Sequence, residues 1–196
     1  KPLVLIILLS ALSGCSWIAV DRYYEAVDSN NQWLSEFREG KTSTKNQGYP
    51  DTFLHTFTHP EFKLVVDVIT GVVSVGPIIF PVIPTLWEHS GNLRLEATIY
   101  TETKTEIDLS SWQVKANGVS HSPEKVFVIG QNVTPVGKVT LEKDSQIYVS
   151  YPLKAASVDT IEIKFGSVSN GQNFVQVPVL NLSKSKGGWH FEQFTL

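Results

Sequence analysis

The chain has 196 residues, a formal net charge of −3 and a single cysteine. That charge gives no long-range field to attract nucleic acid, and one thiol excludes an intramolecular disulfide framework. Charged residues are 18% of the chain and Trp, Tyr and Phe together 11%, a balance that suits an exported β-rich protein better than a cytosolic helical one.

The first element is an apolar run. Leu3 to Leu12 follows Lys1 and is too short for a membrane-spanning helix, which needs about 20 apolar residues, but it matches the hydrophobic region of a secretory signal with a positive flank. Ser13 and Gly14 are small enough for an extended backbone to enter a peptidase cleft, and Cys15 supplies a thiol directly after them. The stretch Leu12-Ser13-Gly14-Cys15 resembles the lipobox of bacterial lipoproteins. The resemblance implies that residues 1–14 are a signal peptide cut between Gly14 and Cys15, and that Cys15 is acylated on its sulfur and on its new amino group. Several chains matter because one acyl chain anchors only marginally and reversibly. Ser16, standing where Asp would favour inner-membrane retention, implies an outer-membrane lipoprotein facing the periplasm. The alternative is an ordinary signal or membrane anchor in which Cys15 is incidental. The resemblance ends at Ser16 and says nothing about the fold beyond it.

Residues 15–50 are expected to form a lipidated tether with a short helix between Asp21 and Gly40. Trp33, Leu34 and Phe37 share a helical face, Ser29 or Asn30 supplies a cap, and Gly40 a stop. Lys41 to Pro50, rich in Lys, Thr, Gly and Asn, reads as a loop. Beyond it the pattern becomes one of alternation, and residues 51–196 are expected to form an antiparallel β-sandwich, immunoglobulin-like or related.

His55 and His59 lie in the first of these stretches. A strand would place both imidazoles on one face about 13 Å apart, too far for one ion without a bend near Pro60 or a third ligand from His89, His121 or His190. They are weak metal candidates, and hydrogen-bonded or solvent-facing histidines are the ordinary alternative.

From Val68 to Trp87 the chain has no charged residue. Pro77, Pro81 and Pro84 remove backbone donors and rule against a transmembrane helix. Two readings stand: a buried central strand from Leu64 to Val75 followed by a proline-fixed crossover over the core, or an exposed apolar loop that meets lipid or a partner through Pro77, Ile78, Ile79, Phe80, Pro81, Val82, Ile83, Pro84 and Trp87.

Asn92 to Thr101 alternates strictly, with Leu93, Leu95, Ala97 and Ile99 on one side. Trp112, Val114 and Ala116 repeat the pattern ahead of Asn117-Gly118, a hairpin signal. Further strands are expected over Lys125 to Ile129, Gly137 to Leu141, Gln146 to Leu153, Thr160 to Phe165, Phe174 to Leu182 and Trp189 to Thr195.

Catalytic signatures are absent from the sequence. There is no phosphate loop, no His-Glu-x-x-His and no Gly-x-Ser-x-Gly; Ser74 lacks the first Gly, and Pro123 spoils the Ser-x-x-Lys match at Ser122 to Lys125. Acidic residues look scattered, without a paired constellation. The favoured expectation is a lipid-anchored envelope protein without cofactor, bound to the membrane through its lipid and serving as a binding or assembly-accessory module for another envelope component. The alternative is a periplasmic enzyme or metal-binding protein built around His55, His59 and another His.

Overall fold

The computed structural model describes residues 16–27, 32–38, 52–69, 73–77, 87–89, 91–129, 137–141, 143–169 and 173–193. The chain forms β1 (Ser16–Ala26), β2 (Trp33–Arg38), β3 (Thr52–His59), β4 (Phe62–Ile69), β5 (Val73–Pro77) and β6 (Trp87–His89). There follow β7 (Asn92–Thr101), β8 (Thr105–Asp108), β9 (Gln113–Ala116), β10 (Val119–His121), β11 (Lys125–Val128) and β12 (Lys138–Leu141). The last are β13 (Ser145–Lys154), β14 (Thr160–Lys164), β15 (Ser167–Ser169), β16 (Phe174–Gln176) and β17 (Leu180–Gln193). Helix among the described residues is limited to two single 3-10 turns, Leu109–Ser111 and Ala155–Ser157, and none is long and apolar enough to cross a membrane.

The strands form a seven-stranded sheet of order β10-β9-β14-β17-β1-β5-β6, a six-stranded sheet of order β11-β13-β7-β4-β3-β2, and a four-stranded sheet of order β12-β8-β15-β16. The architecture is mainly β and antiparallel, not closed into a barrel, and is that of a β-sandwich. Alternation builds its core. From the six-stranded sheet come Leu64, Val66, Leu93, Leu95, Ala97, Ile99, Ile147 and Val149; from the seven-stranded sheet come Val114, Ile161, Ile163 and Leu182. Burying each large aliphatic side chain stabilises the fold by about 1.5 to 3 kcal/mol. Phe165 joins the layers, with Trp112 edge-on at 5.1 Å and Trp33 at 5.4 Å between ring centroids.

The Asn117-Gly118 turn is as expected. Both residues have positive φ (47 and 85), the pair of conformations that a two-residue type I′ hairpin needs. Asn117 also ties the hairpin down, its Oδ1 accepting from the N–H groups of Asp159 and Thr160 and its Nδ2 donating to Ser157 O.

Three sequence expectations need correction. The helix between Asp21 and Gly40 is replaced by β1 and β2. Trp33 and Phe37 share a strand face as readily as a helical one, and β3 supplies a ladder that an isolated short helix would lack; among the described residues, β-structure thus occupies part of the stretch expected to be a tether, from Ser16 to Ala26 and from Trp33 to Arg38. The single strand from Leu64 to Val75 is two strands in different sheets: β4 pairs with β3 and β7, and β5 pairs with β1 and β6. The last two expected strands are divided differently, because Pro178 has no N–H for a ladder and separates β16 from β17, which then runs unbroken to Gln193.

Candidate functional site

His55 is fully buried in β3 and lies between the two large sheets. Its Nε2 is 3.2 Å from Tyr24 O in β1, and its Nδ1 is 2.8 Å from Ser35 Oγ in β2. A carbonyl oxygen only accepts, so Nε2 carries the proton and Nδ1 accepts from the Ser35 hydroxyl. The ring stacks on Phe53 at 6.4 Å, and Phe53 meets Tyr23 and Phe37 at 5.2 and 5.3 Å. Burial pushes the His55 pKa from 6.5 down to about 4, only partly offset by the bond to Tyr24. Ser35 and His55 thus touch as a nucleophile and base would, but Nε2 is taken by a main-chain carbonyl where a triad would hold a carboxylate. The imidazole stitches β1, β2 and β3 together.

His59 lies four residues along the same strand and does something different. Its Nδ1 accepts from the Glu61 N–H at 3.3 Å, and its ring meets Phe62 at 5.3 Å. His121 ends β10, opposite Val114, while His89 and His190 stand in β6 and β17 opposite Val73 and Ala19. No group of three His, Cys, Asp or Glu side chains able to hold a metal ion occurs among the described residues.

A different constellation lies on the outer face of the six-stranded sheet. Core residues take one parity along each strand, so the other parity points outward, and register aligns it into rows. The central row runs Phe127, Tyr148, Glu96, Asp67, Leu54 and Glu36, one residue from each strand. Beside it lies a mixed apolar row of Gln146, Thr98, Val65, Thr56 and Leu34, extended by Ile129, whose N–H donates to Gln146 O. On its other side Lys125, Ser150, Arg94, Ile69, Thr52 and Arg38 place three cations along one edge. Five strand spacings make each row roughly 24 Å long.

The centre of this face is a charged hydrogen-bond network. Asp67 accepts from Thr52 Oγ1 at 2.5 Å and pairs with Arg38 at 3.5 Å, while Tyr148 donates to Glu96 Oε1 at 3.2 Å. Asp67 is only 8% exposed although it points outward. Burial raises its pKa, opposed by the Thr52 hydroxyl and Arg38 and reinforced by Glu96 directly across the ladder. Around the network, Phe127, Ile129, Leu34 and Tyr100 are exposed, with Lys63 Nζ 5.8 Å from the centre of the Tyr100 ring. Beyond Tyr100 the face runs into an open cleft of about 600 Å³ lined by His59, Glu61, Thr101, Glu102 and Asp144 among others. Exposed rings and aliphatics flanking fixed charges can hold an extended partner by contact and directional hydrogen bonds together.

The remaining expected sites fall elsewhere. Gly14 and Cys15 lie outside the described residues, as do Ile78, Ile79, Phe80, Pro81, Val82, Ile83 and Pro84. Pro77 ends β5 opposite Trp17, and Trp87 opens β6 opposite Val75, so the chain returns antiparallel to the strand it left. The paired carboxylates Asp67 and Glu96 escaped the sequence reading, because only the register of β4 against β7 brings them together. Ser35 was likewise hidden by the helical expectation. No family model matches the chain, and neither curated proteins nor solved structures give a match.

Proposed function

We propose that the chain is a lipid-anchored protein of the bacterial envelope, held through Cys15, whose β-sandwich acts as a binding or assembly-accessory module for another envelope component. The observation that carries the binding role is the outer face of the six-stranded sheet. There, a network of Arg38, Asp67, Thr52, Glu96 and Tyr148 is rimmed by exposed Phe127, Ile129, Leu34 and Tyr100. Isolated apolar residues on a surface are ordinary, but aromatic and aliphatic side chains gathered around ordered charges are the composition of protein recognition patches. The lipobox resemblance of Leu12 to Cys15 supports the anchor.

The test is site-specific photo-crosslinking in a bacterial host, with the reactive residue at Phe127 on the proposed face or at Val119, which is similarly exposed on the edge of the other large sheet. A discrete adduct from position 127 and none from position 119 is the expected result. Adducts from 119 alone would move the binding surface to the other sheet.

A further inference from the structure

We propose that the end of the seven-stranded sheet that carries Ser16 is a membrane-contact surface, resting on phospholipid beside the acylated cysteine. The inference rests on the proposed anchor at Cys15 and goes beyond it, because lipidation alone does not say which part of the domain meets the bilayer. Consecutive Cα atoms are about 3.8 Å apart, so an acylated Cys15 holds Ser16, the first residue of β1, at the bilayer surface. Strand register then decides what stands beside it.

β17 and β5 run antiparallel to β1 and finish at this end, with Gln193 opposite Ser16 and Pro77 opposite Trp17. β6 leaves it from Trp87, which is level with Ala19 through Val75, and Trp189 of β17 is opposite Val20. Three of the chain's five tryptophans, Trp17, Trp87 and Trp189, therefore take register positions within four residues of Ser16, about 13 Å along the strand. Trp is enriched at membrane–water interfaces, where its ring meets headgroups and acyl chains at once. Charge divides the sheet in the same way. At the levels of Ser16 to Ala19 the one charged residue across β17, β1, β5 and β6 is Glu192, whereas from Asp21 to Ala26 the β1–β17 ladder carries Asp21, Arg22, Glu25, Lys184 and Lys186. A charge placed against acyl chains is costly, so the sparsely charged end is the one suited to lipid.

The experiment is photo-crosslinking of the full chain in bacterial membranes, with the reactive residue at Pro77 or at Val119 and acyl labelling measured on the same samples. Pro77 is distant from Cys15 in sequence but level with Trp17, so lipid reaches it only if the register sets the contact. Val119 is level with Ala26 through Ala116, Ile161 and Leu182, which places it about 33 Å along the strand direction from Ser16, well outside a headgroup layer about 5 to 8 Å deep. The expected result is a phospholipid adduct at position 77 in about tenfold or more the yield at position 119. Gln193, opposite Ser16, is the second probe position should substitution of Pro77 disturb folding. Acylated protein with no lipid adduct from either 77 or 193, equal lipid yields at 77 and 119, or a protein adduct in place of lipid at 77 would overturn the proposal and leave the anchor standing. Unacylated protein would remove the anchor and the proposal with it.

Discussion

Replacing His55 by Gln removes a titrating group from between the sheets while leaving an amide that can still hydrogen-bond. The imidazole pKa falls from 6.5 to about 4 on folding, and at 1.36 kcal/mol per unit this corresponds to about 3 kcal/mol of stability tied to the neutral ring. Because the folded value is the lower one, that stability is fully present above pH 6.5 and is lost as pH falls towards 4. Protonation need not break the local bonds, since the Ser35 hydroxyl can turn to accept; what destabilises is a charge held away from water. Asp67 works in the opposite sense, its raised pKa favouring the folded state as the solution becomes acidic, but it is common to both proteins and cancels in their difference. Urea unfolding at a series of pH values measures that difference. The wild type should lose about 3 kcal/mol relative to His55→Gln between about pH 7.5 and pH 4. Parallel stability profiles would refute the reasoning, and with it the structural role assigned to His55.

Other substitutions separate core, turn, face and anchor. Leu95→Ala, in the centre of the six-stranded sheet, should lower stability by about 2 to 5 kcal/mol, whereas Phe127→Ser on its outer face should stay within about 0.5 kcal/mol; urea midpoints decide both. Gly166 has φ 70, and a Cβ there would collide with the Ser111 side chain, so Gly166→Ala should destabilise by about 1 to 3 kcal/mol and regain part of the loss with Ser111→Gly in a melting assay. Cys15→Ala should abolish acyl labelling and leave an uncut precursor on a gel, and normal processing would remove the lipoprotein reading.

The strands that were legible in the sequence are those whose alternation has one explanation. Leu93, Leu95, Ala97 and Ile99 are all fully buried, because a residue every second place along an extended chain returns to the same face. Asn117-Gly118 was legible for a local reason, the positive φ both residues tolerate. β2 was not, since Trp33 and Phe37 share one face in a strand as readily as in a helix, and the choice is made by the ladder to β3, 14 or more residues along the chain. The outer-face network was hidden more deeply. Asp67 sits in a strand whose inner face is Leu64, Val66 and Val68, and nothing near it in the chain announces that Glu96, Thr52 and Arg38 will be its neighbours. Register is a property of paired strands, so a site written across five of them is invisible in any one.

The most direct test of the binding role is quantitative co-isolation from detergent-solubilised envelopes, comparing the wild type with the double variant Phe127→Ser, Tyr148→Ala. Neither side chain belongs to the buried core, so the variant should reach the envelope folded, with loss of the Tyr148 bond to Glu96 lowering its stability by only about 0.5 to 1.5 kcal/mol. The expected result is an envelope component recovered with the wild type and reduced about tenfold or more with the variant, as for the loss of two aromatic side chains that contact a partner. Equal recovery from two equally folded proteins would contradict the assignment of the outer sheet face as the binding surface.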